Sequence, residues 1–296
     1  MSNVTILGTG RMGAAMAEMV AQAGHDVTVW NRTSETAETL ASRLGCHVAA
    51  HAAEAVRGSD FVLSSLADGP ATVTTLLDSD VLDALSADSV TCDMATSGPS
   101  AALEVARGFG DRGLSFVDSP VAGSVASVLS SALLVMASGP EPAVTRATPI
   151  FGAFAREVVF LGDAGRGQAM KLCAGLVVHT LNSAVAEGLA LATRAGIDPT
   201  LAYGVFTGSS VGAPYLTYKR EVFLGTEAPV AMALDLSGKD LALILDYARD
   251  RGLSLPVLSG VVDEVSAARA HGYGSADMAD VLRFLLGEDA PSRSQL

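Results

Sequence analysis

Short apolar runs recur through the first half of the chain, at residues 4–7, 27–30, 61–64, 90–93, 116–118, 133–137 and 158–161. Each is brief, several are β-branched, and turn residues bound them, so they predict strands. Between them, residues 12–23, 34–44, 70–77, 99–110 and 141–151 place apolar side chains at helical spacing. Alternation of strand and helix predicts an α/β fold, a doubly wound parallel sheet with helices on both faces.

The pattern changes after residue 163. Residues 165–195 hold no proline and no strand signal, which predicts one helix of about 30 residues, against a mean of ~11–12. Further helices are predicted at 199–206, 237–251 and 256–270. The expected organisation is a sheet domain at 1–163, an all-helical domain at 164–290 joined to it by the long helix, and a polar tail at 291–296. No charged side chain stands between Lys171 and Glu187. A helix apolar on every face must be buried on every face. A partner subunit does this more readily than the helical domain alone, so a homodimer or dimer-based oligomer is expected.

Composition narrows the function. The 296 residues are 49% hydrophobic and 17% charged, a core-rich globular balance. A net charge of −13 excludes the clustered positive surface that non-specific nucleic-acid binding needs. Cys46, Cys92 and Cys173 are too few and too scattered for a disulfide framework or a zinc pair, and they predict a reducing compartment. The opening residues carry no basic stretch before the first apolar run, so no secretory leader is expected. The longest charge-free window, 119–140, holds six serines and two prolines and does not suit a bilayer. A cytoplasmic enzyme without membrane, nucleic-acid or metal partners is the expectation.

The first strand runs into Gly8-Thr9-Gly10-Arg11-Met12-Gly13, and a helix follows. In such a turn the first glycine permits the bend, the second lets backbone amides approach a pyrophosphate, and the third lets helix and strand pack. The helix N-terminus offers unpaired N–H groups and a positive dipole end. The flanking strands and helix make this a dinucleotide site rather than a structural turn. NAD enzymes place a carboxylate after the second strand to bind the ribose 2′-OH. Here that position reads Asn31-Arg32-Thr33. Arg32 is suited to a 2′-phosphate and to stacking on adenine, and Asn31 and Thr33 are suited to donate to it, so NADP(H) is expected.

With these residues, the chain resembles the β-hydroxyacid dehydrogenase family, which includes 3-hydroxyisobutyrate dehydrogenases and is related to imine reductases and 6-phosphogluconate dehydrogenase. The resemblance rests on the glycine turn, on Asp93 to Pro99, on Asp118 to Gly123, on Gly167 to Lys171 and on Gly238-Lys239-Asp240. It implies a Rossmann-type domain and a helical domain that closes over the nicotinamide. It also implies Lys171 as the catalytic lysine, Lys239 as a second lysine near the nicotinamide, and Thr96 as a contact on the nicotinamide side. The family's substrate-binding Ser-Gly-Gly stretch falls on Ala122, Gly123 and Ser124, and its asparagine after the lysine falls on Gly175. Ala122 and Gly175 therefore lack a hydroxyl and an amide. The expected cofactor-binding set is Gly8, Gly10, Arg11, Met12, Gly13, Asn31, Arg32, Thr33, Leu66, Thr96 and Lys239.

The lysine argument also stands on chemistry. Lys171, Lys219 and Lys239 are the only lysines, and none lies in the sheet domain. Hydride transfer to a carbonyl leaves charge on oxygen and requires a proton donor within reach. Arginine holds its proton too tightly, whereas a buried lysine can release one. Lys219, beside Arg220 and Glu221, is expected at the surface. His179 and Asn182 are expected as satisfied core or interface groups. Tyr215 suits either a cleft wall or packing. The reading is an NADP(H)-dependent oxidoreductase acting on a small β-hydroxy acid or semialdehyde, with Lys171 as general acid/base. NADPH preference favours reduction. The alternatives are an imine reductase and a non-catalytic NADPH-binding sensor or scaffold.

Overall fold

The computed structural model describes residues 1–226 and 228–291, so the expected polar tail lies outside the described residues beyond its first member. By internal packing the chain forms two units, Met1–Lys171 and a second from Leu172 onward.

The first unit is built on β1 (Asn3–Leu7), β2 (Asp26–Trp30), β3 (His47–Val48), β4 (Phe61–Ser64), β5 (Val90–Asp93) and β6 (Ser115–Asp118). They pair in parallel in the order β3-β2-β1-β4-β5-β6. The side-chain period of two sends successive residues to opposite faces. Ile6, Val29, Leu63 and Cys92 join one core with α1 (Arg11–Gln22), α2 (Ser34–Leu44), α7 (Val125–Leu129) and α8 (Glu141–Phe151). Leu7, Val62 and Phe116 join the other with α3 (Ala52–Val56), α4 (Gly69–Leu76), α5 (Ser79–Ala84) and α6 (Pro99–Gly110). Burial on both faces explains why these strands read as unbroken apolar runs.

The sheet is smaller than the strand count implied. The runs expected at 133–137 and 158–161 form β8 (Leu133–Ala137) and β9 (Ala155–Phe160), which leave the large sheet. With β7 (Val121–Ala122) they make a three-stranded mixed sheet, β7 antiparallel and β9 parallel to β8. Ser119 and Pro120 end β6, and Pro120 lacks the N–H that a continuing ladder needs. A single Asp118–Ser138 bridge joins the two sheets.

The long helix α9 (Arg166–Arg194) runs 29 residues. The second unit adds α10 (Pro199–Gly208), α11 (Pro214–Phe223), α12 (Leu234–Arg249), α13 (Pro256–Ala268) and α14 (Val281–Leu286). Their core gathers Val185, Ala186 and Leu189 of α9 with Tyr203, Leu216, Ile244, Val261 and Leu282. By length and composition α9 is apolar enough to cross a bilayer. Its polar middle is instead built into protein: His179, Asn182 and Ser183 are buried, and Asn182 bonds through both its amide nitrogen and its carbonyl oxygen. The expectation of burial on every face fails for the single chain. Met170, Cys173, Val177 and Leu191 remain exposed, Val177 at 61% and Leu191 at 74%.

Candidate functional site

The glycine turn has the shape that its spacing implies. Gly8 adopts φ +96°, and a Cβ there would lie 2.4 Å from the Ser65 carbonyl oxygen, with Leu66 packed alongside. A Cβ on Gly13 would lie 2.0 Å from the Gly8 carbonyl oxygen, so neither position tolerates a side chain. A Cβ on Gly10 would meet nothing within 4 Å. Open space lies in front of the helix start. Gly10 caps α1 without a side-chain bond, and no acidic residue stands in its first turn. The N–H groups of a helix's first turn have no intrahelical acceptors, and such a start beside open space fits a pyrophosphate. Arg11 is exposed beside it and Met12 half-buried.

Asn31, at the end of β2, is structural in this arrangement. Its carbonyl accepts the Thr9 N–H at 3.2 Å, and its amide donates to the Thr33 carbonyl and to Thr36 Oγ1. It ties the glycine turn to the loop carrying Arg32 and Thr33. Arg32 and Thr33 are exposed, and no carboxylate occupies positions 31–33.

At the carboxyl ends of β5 and β6, where open α/β sheets bind ligands, two aspartates share one register position, Asp93 against Asp118. Both are fully buried. Asp93 accepts from Ser64 Oγ, Ser97 Oγ and the Ala95 N–H, and so shapes the loop that carries half-buried Thr96. Asp118 Oδ2 accepts from Ser138 Oγ at 2.8 Å and from the Gly165 and Gln168 N–H groups at 3.1 and 3.0 Å. Burial is the main cause that raises its pKa, to about 6, with the Asp93 charge adding to it. Gln168 connects the two, donating to the Ala95 carbonyl and accepting the Gly98 N–H. Lys171 lies three residues further along α9, half-buried, and its Nζ donates to the Val121 carbonyl at 2.9 Å.

That carbonyl leads directly into Ala122, Gly123 and Ser124. Ala122 is half-buried in β7 and Gly123 is exposed. Ser124 starts α7, and its N–H donates to Ser127 Oγ. The glycine turn, Arg32, Leu66, Thr96, residues 122–124 and Lys171 all belong to the first unit.

Gly175 and Lys239 belong to the second unit. A Cβ on Gly175 would rest 3.5 Å from Ile244 Cδ1, an ordinary contact, so the missing side chain leaves room rather than avoiding a clash. Lys239 is partly exposed and lies 3.4 Å from Asp240. Tyr215 donates to Asn182 Oδ1, and Asn182 donates to the Met278 carbonyl. Burial holds the Tyr215 phenol well above its usual pKa. Lys219 is not a surface residue: at 2% exposure it donates to both Asp277 oxygens, at 2.6 and 2.8 Å. Its charged neighbours Arg220 and Glu221 are exposed and misled the expectation, because α11 turns only its Leu216, Lys219, Val222 and Phe223 side inward. Among the described residues, no three His, Cys, Asp or Glu side chains gather as a metal site.

Residues 3–162 match the family described as the NAD binding domain of 6-phosphogluconate dehydrogenase. Residues 165–285 match the NAD-binding family of NADP-dependent 3-hydroxyisobutyrate dehydrogenase. The chain belongs to the 3-hydroxyisobutyrate dehydrogenase-like β-hydroxyacid dehydrogenases. It is 30% identical over 285 residues to the 3-sulfolactaldehyde reductase of Escherichia coli K12, covering 95% of both chains. A Mycobacterium tuberculosis 3-hydroxyisobutyrate dehydrogenase solved with L-serine superposes with a TM-score of 0.85 at 27% identity, covering 96% of this chain and 99% of that one. An imine reductase from Myxococcus stipitatus shares the fold, with a TM-score of 0.64 at 21% identity over 96% of this chain and 99% of that one. This β-hydroxyacid dehydrogenase is thus an oxidoreductase with a nicotinamide-dinucleotide domain, related in fold to imine reductases.

Proposed function

We propose that this β-hydroxyacid dehydrogenase uses NADP(H) to reduce a small semialdehyde or related carbonyl to its β-hydroxy acid, with Lys171 as general acid/base. The observation that carries the reading is the Lys171 amine, held at 2.9 Å by the carbonyl that leads into residues 122–124. A bound nicotinamide supplies a hydride to the carbonyl carbon. Lys171 gives its proton to the oxygen on which charge develops, so C=O becomes H–C–O–H and the amine is left neutral until water reprotonates it. The N-terminus of α1 would hold the pyrophosphate, and Arg32 would pair with the 2′-phosphate. The family resemblance assigns Thr96 and Lys239 to the nicotinamide end.

The exposed stripe on α9 supports a homodimer. Met170, Val177, Ala184 and Leu191 recur every seven residues with Cys173 between, the spacing of a helix–helix seam. Light scattering is expected to give the mass of two chains or a multiple of it.

Lys171→Met is expected to lower kcat for carbonyl reduction by at least ~10²-fold, with NADPH affinity unchanged in fluorescence titrations. Undiminished reduction overturns the assignment. Arg32→Ala is expected to weaken NADPH by about tenfold or more while leaving NADH nearly untouched. Equal weakening removes the 2′-phosphate role. A second reading, imine reduction, draws on Ala122 and Gly175, which remove two polar side chains from the substrate side. Turnover of cyclic imines exceeding that of semialdehydes would favour it.

A further inference from the structure

We propose that Asp118 is a positioning residue that holds Lys171 and the Thr96 loop in one working arrangement. The inference rests on Lys171 being the proton donor. Asp118 is out of reach of solvent, so it acts through the groups it binds. Its Oδ2 gathers the Gly165 and Gln168 N–H groups, at the start of the helix that bears Lys171. The same oxygen accepts from Ser138 Oγ, which itself accepts the Gly167 N–H at 2.9 Å. Three residues after Asp118, the Val121 carbonyl holds the Lys171 amine. One short segment therefore fixes both the root of the lysine's helix and the tip of its side chain.

Gln168 extends the linkage. Its backbone binds Asp118, and its side chain makes two bonds to the loop between Ala95 and Gly98, whose other anchor is Asp93. Loosening Asp118 frees Gln168, and with it the loop carrying Thr96.

The arrangement is tightest in the ionised form. All three donors converge on Oδ2, and hydrogen bonds to a charged acceptor are roughly twice as strong as neutral ones, so protonation at Oδ1 weakens all three at once. Asp118 Oδ1 is buried without a hydrogen-bond partner, which marks where a proton is accommodated. The elements packed on Asp118 contribute Asp93 from β5, Ser138 after β8, and Gly165 and Gln168 at the start of α9. Asp93 is the titratable one, and its charge favours protonation. The cations on this part of α9 are Arg166, which is exposed and paired with Asp163, and Lys171, its amine held by Val121.

The test compares the full-length wild type, Asp118→Asn, Ser138→Ala and Lys171→Met across pH 5–8. The wild-type kcat at saturating NADPH and aldehyde is expected to fall on an acid limb with a midpoint near 6. In D118N the limb is expected to disappear, with kcat at pH 7.5 reduced about tenfold and KM for NADPH unchanged. In glycine- and glutamine-labelled protein, the Gly165 and Gln168 amide resonances are expected to titrate with the same midpoint in wild type and K171M, and not in D118N. Should D118N fail to fold, S138A serves instead, with the limb displaced to higher pH. A purely structural aspartate would change melting temperature while leaving the kcat profile's shape intact, and that result overturns the proposal. A flat wild-type profile beside an inactive K171M overturns the inference alone. Turnover by K171M overturns the Lys171 reading and this inference with it.

Discussion

Asp277 and Asp118 are both fully buried and both accept backbone N–H groups, yet only Asp277 faces a cation. In the helical unit, Lys219 grips both oxygens of Asp277, while the Ala231, Met232 and Ala279 N–H groups complete the shell. In the sheet unit, Asp118 is held by neutral donors alone and has another carboxylate for a neighbour. A buried charge with a matched counter-charge is a fixed structural link, costly to break. A buried charge without one is poised to take up a proton. The difference separates a staple from a device that responds to its surroundings.

Three changes test that contrast. The largest effect is expected from Lys219→Met, which strands the Asp277 charge and lowers stability by about 3–5 kcal/mol in urea or thermal unfolding. Adding Asp277→Asn in the same chain is expected to restore part of the loss. Full stability in the single variant would show that the pair contributes nothing.

The second change is Asp118→Asn, followed by stability rather than turnover. Because the folded state raises the Asp118 pKa from 3.8 to about 6, the folded chain binds this proton more tightly than the unfolded chain. Its stabilising contribution is therefore full below pH ~4 and is lost as pH rises through about 6. The wild type is expected to gain on D118N by up to about 3 kcal/mol between pH 7 and pH 4. A constant difference across that range would break the comparison. The smallest effect is expected from Ser138→Ala. It removes one donor from Asp118, costs about 1–2 kcal/mol at pH 7.5, and leaves the Lys219–Asp277 link untouched.

The pattern of apolar runs reveals the Rossmann-type sheet because its strands are buried on both faces, and α9 is legible because nothing interrupts it. The glycine turn is legible because sterics dictate it, as the 2.0 Å clearance at Gly13 makes plain. Helix α11 escapes detection because a lysine fills one of its inward positions and reads as surface. The departure of β8 and β9 into a second sheet is also invisible, since pairing partners are a long-range property that local periodicity does not carry. Asp93 and Asp118 sit inside motifs that sequence reading picks out. Their partnership depends on the register of two parallel strands and on Gln168, some fifty residues past Asp118, which no spacing rule foresees.

The boundary between the two units falls inside a continuous helix, at Lys171–Leu172, and not in a linker. Dissecting the enzyme for separate expression is therefore hazardous. A cut at the inviting Gly162–Gly165 stretch would take away the two amides and the Gln168 side chain that occupy Asp118 and the 95–98 loop. A dinucleotide-binding fragment intended as a biosensor scaffold would need to extend through at least Lys171. It would then carry a severed, greasy helical stump requiring a designed cap.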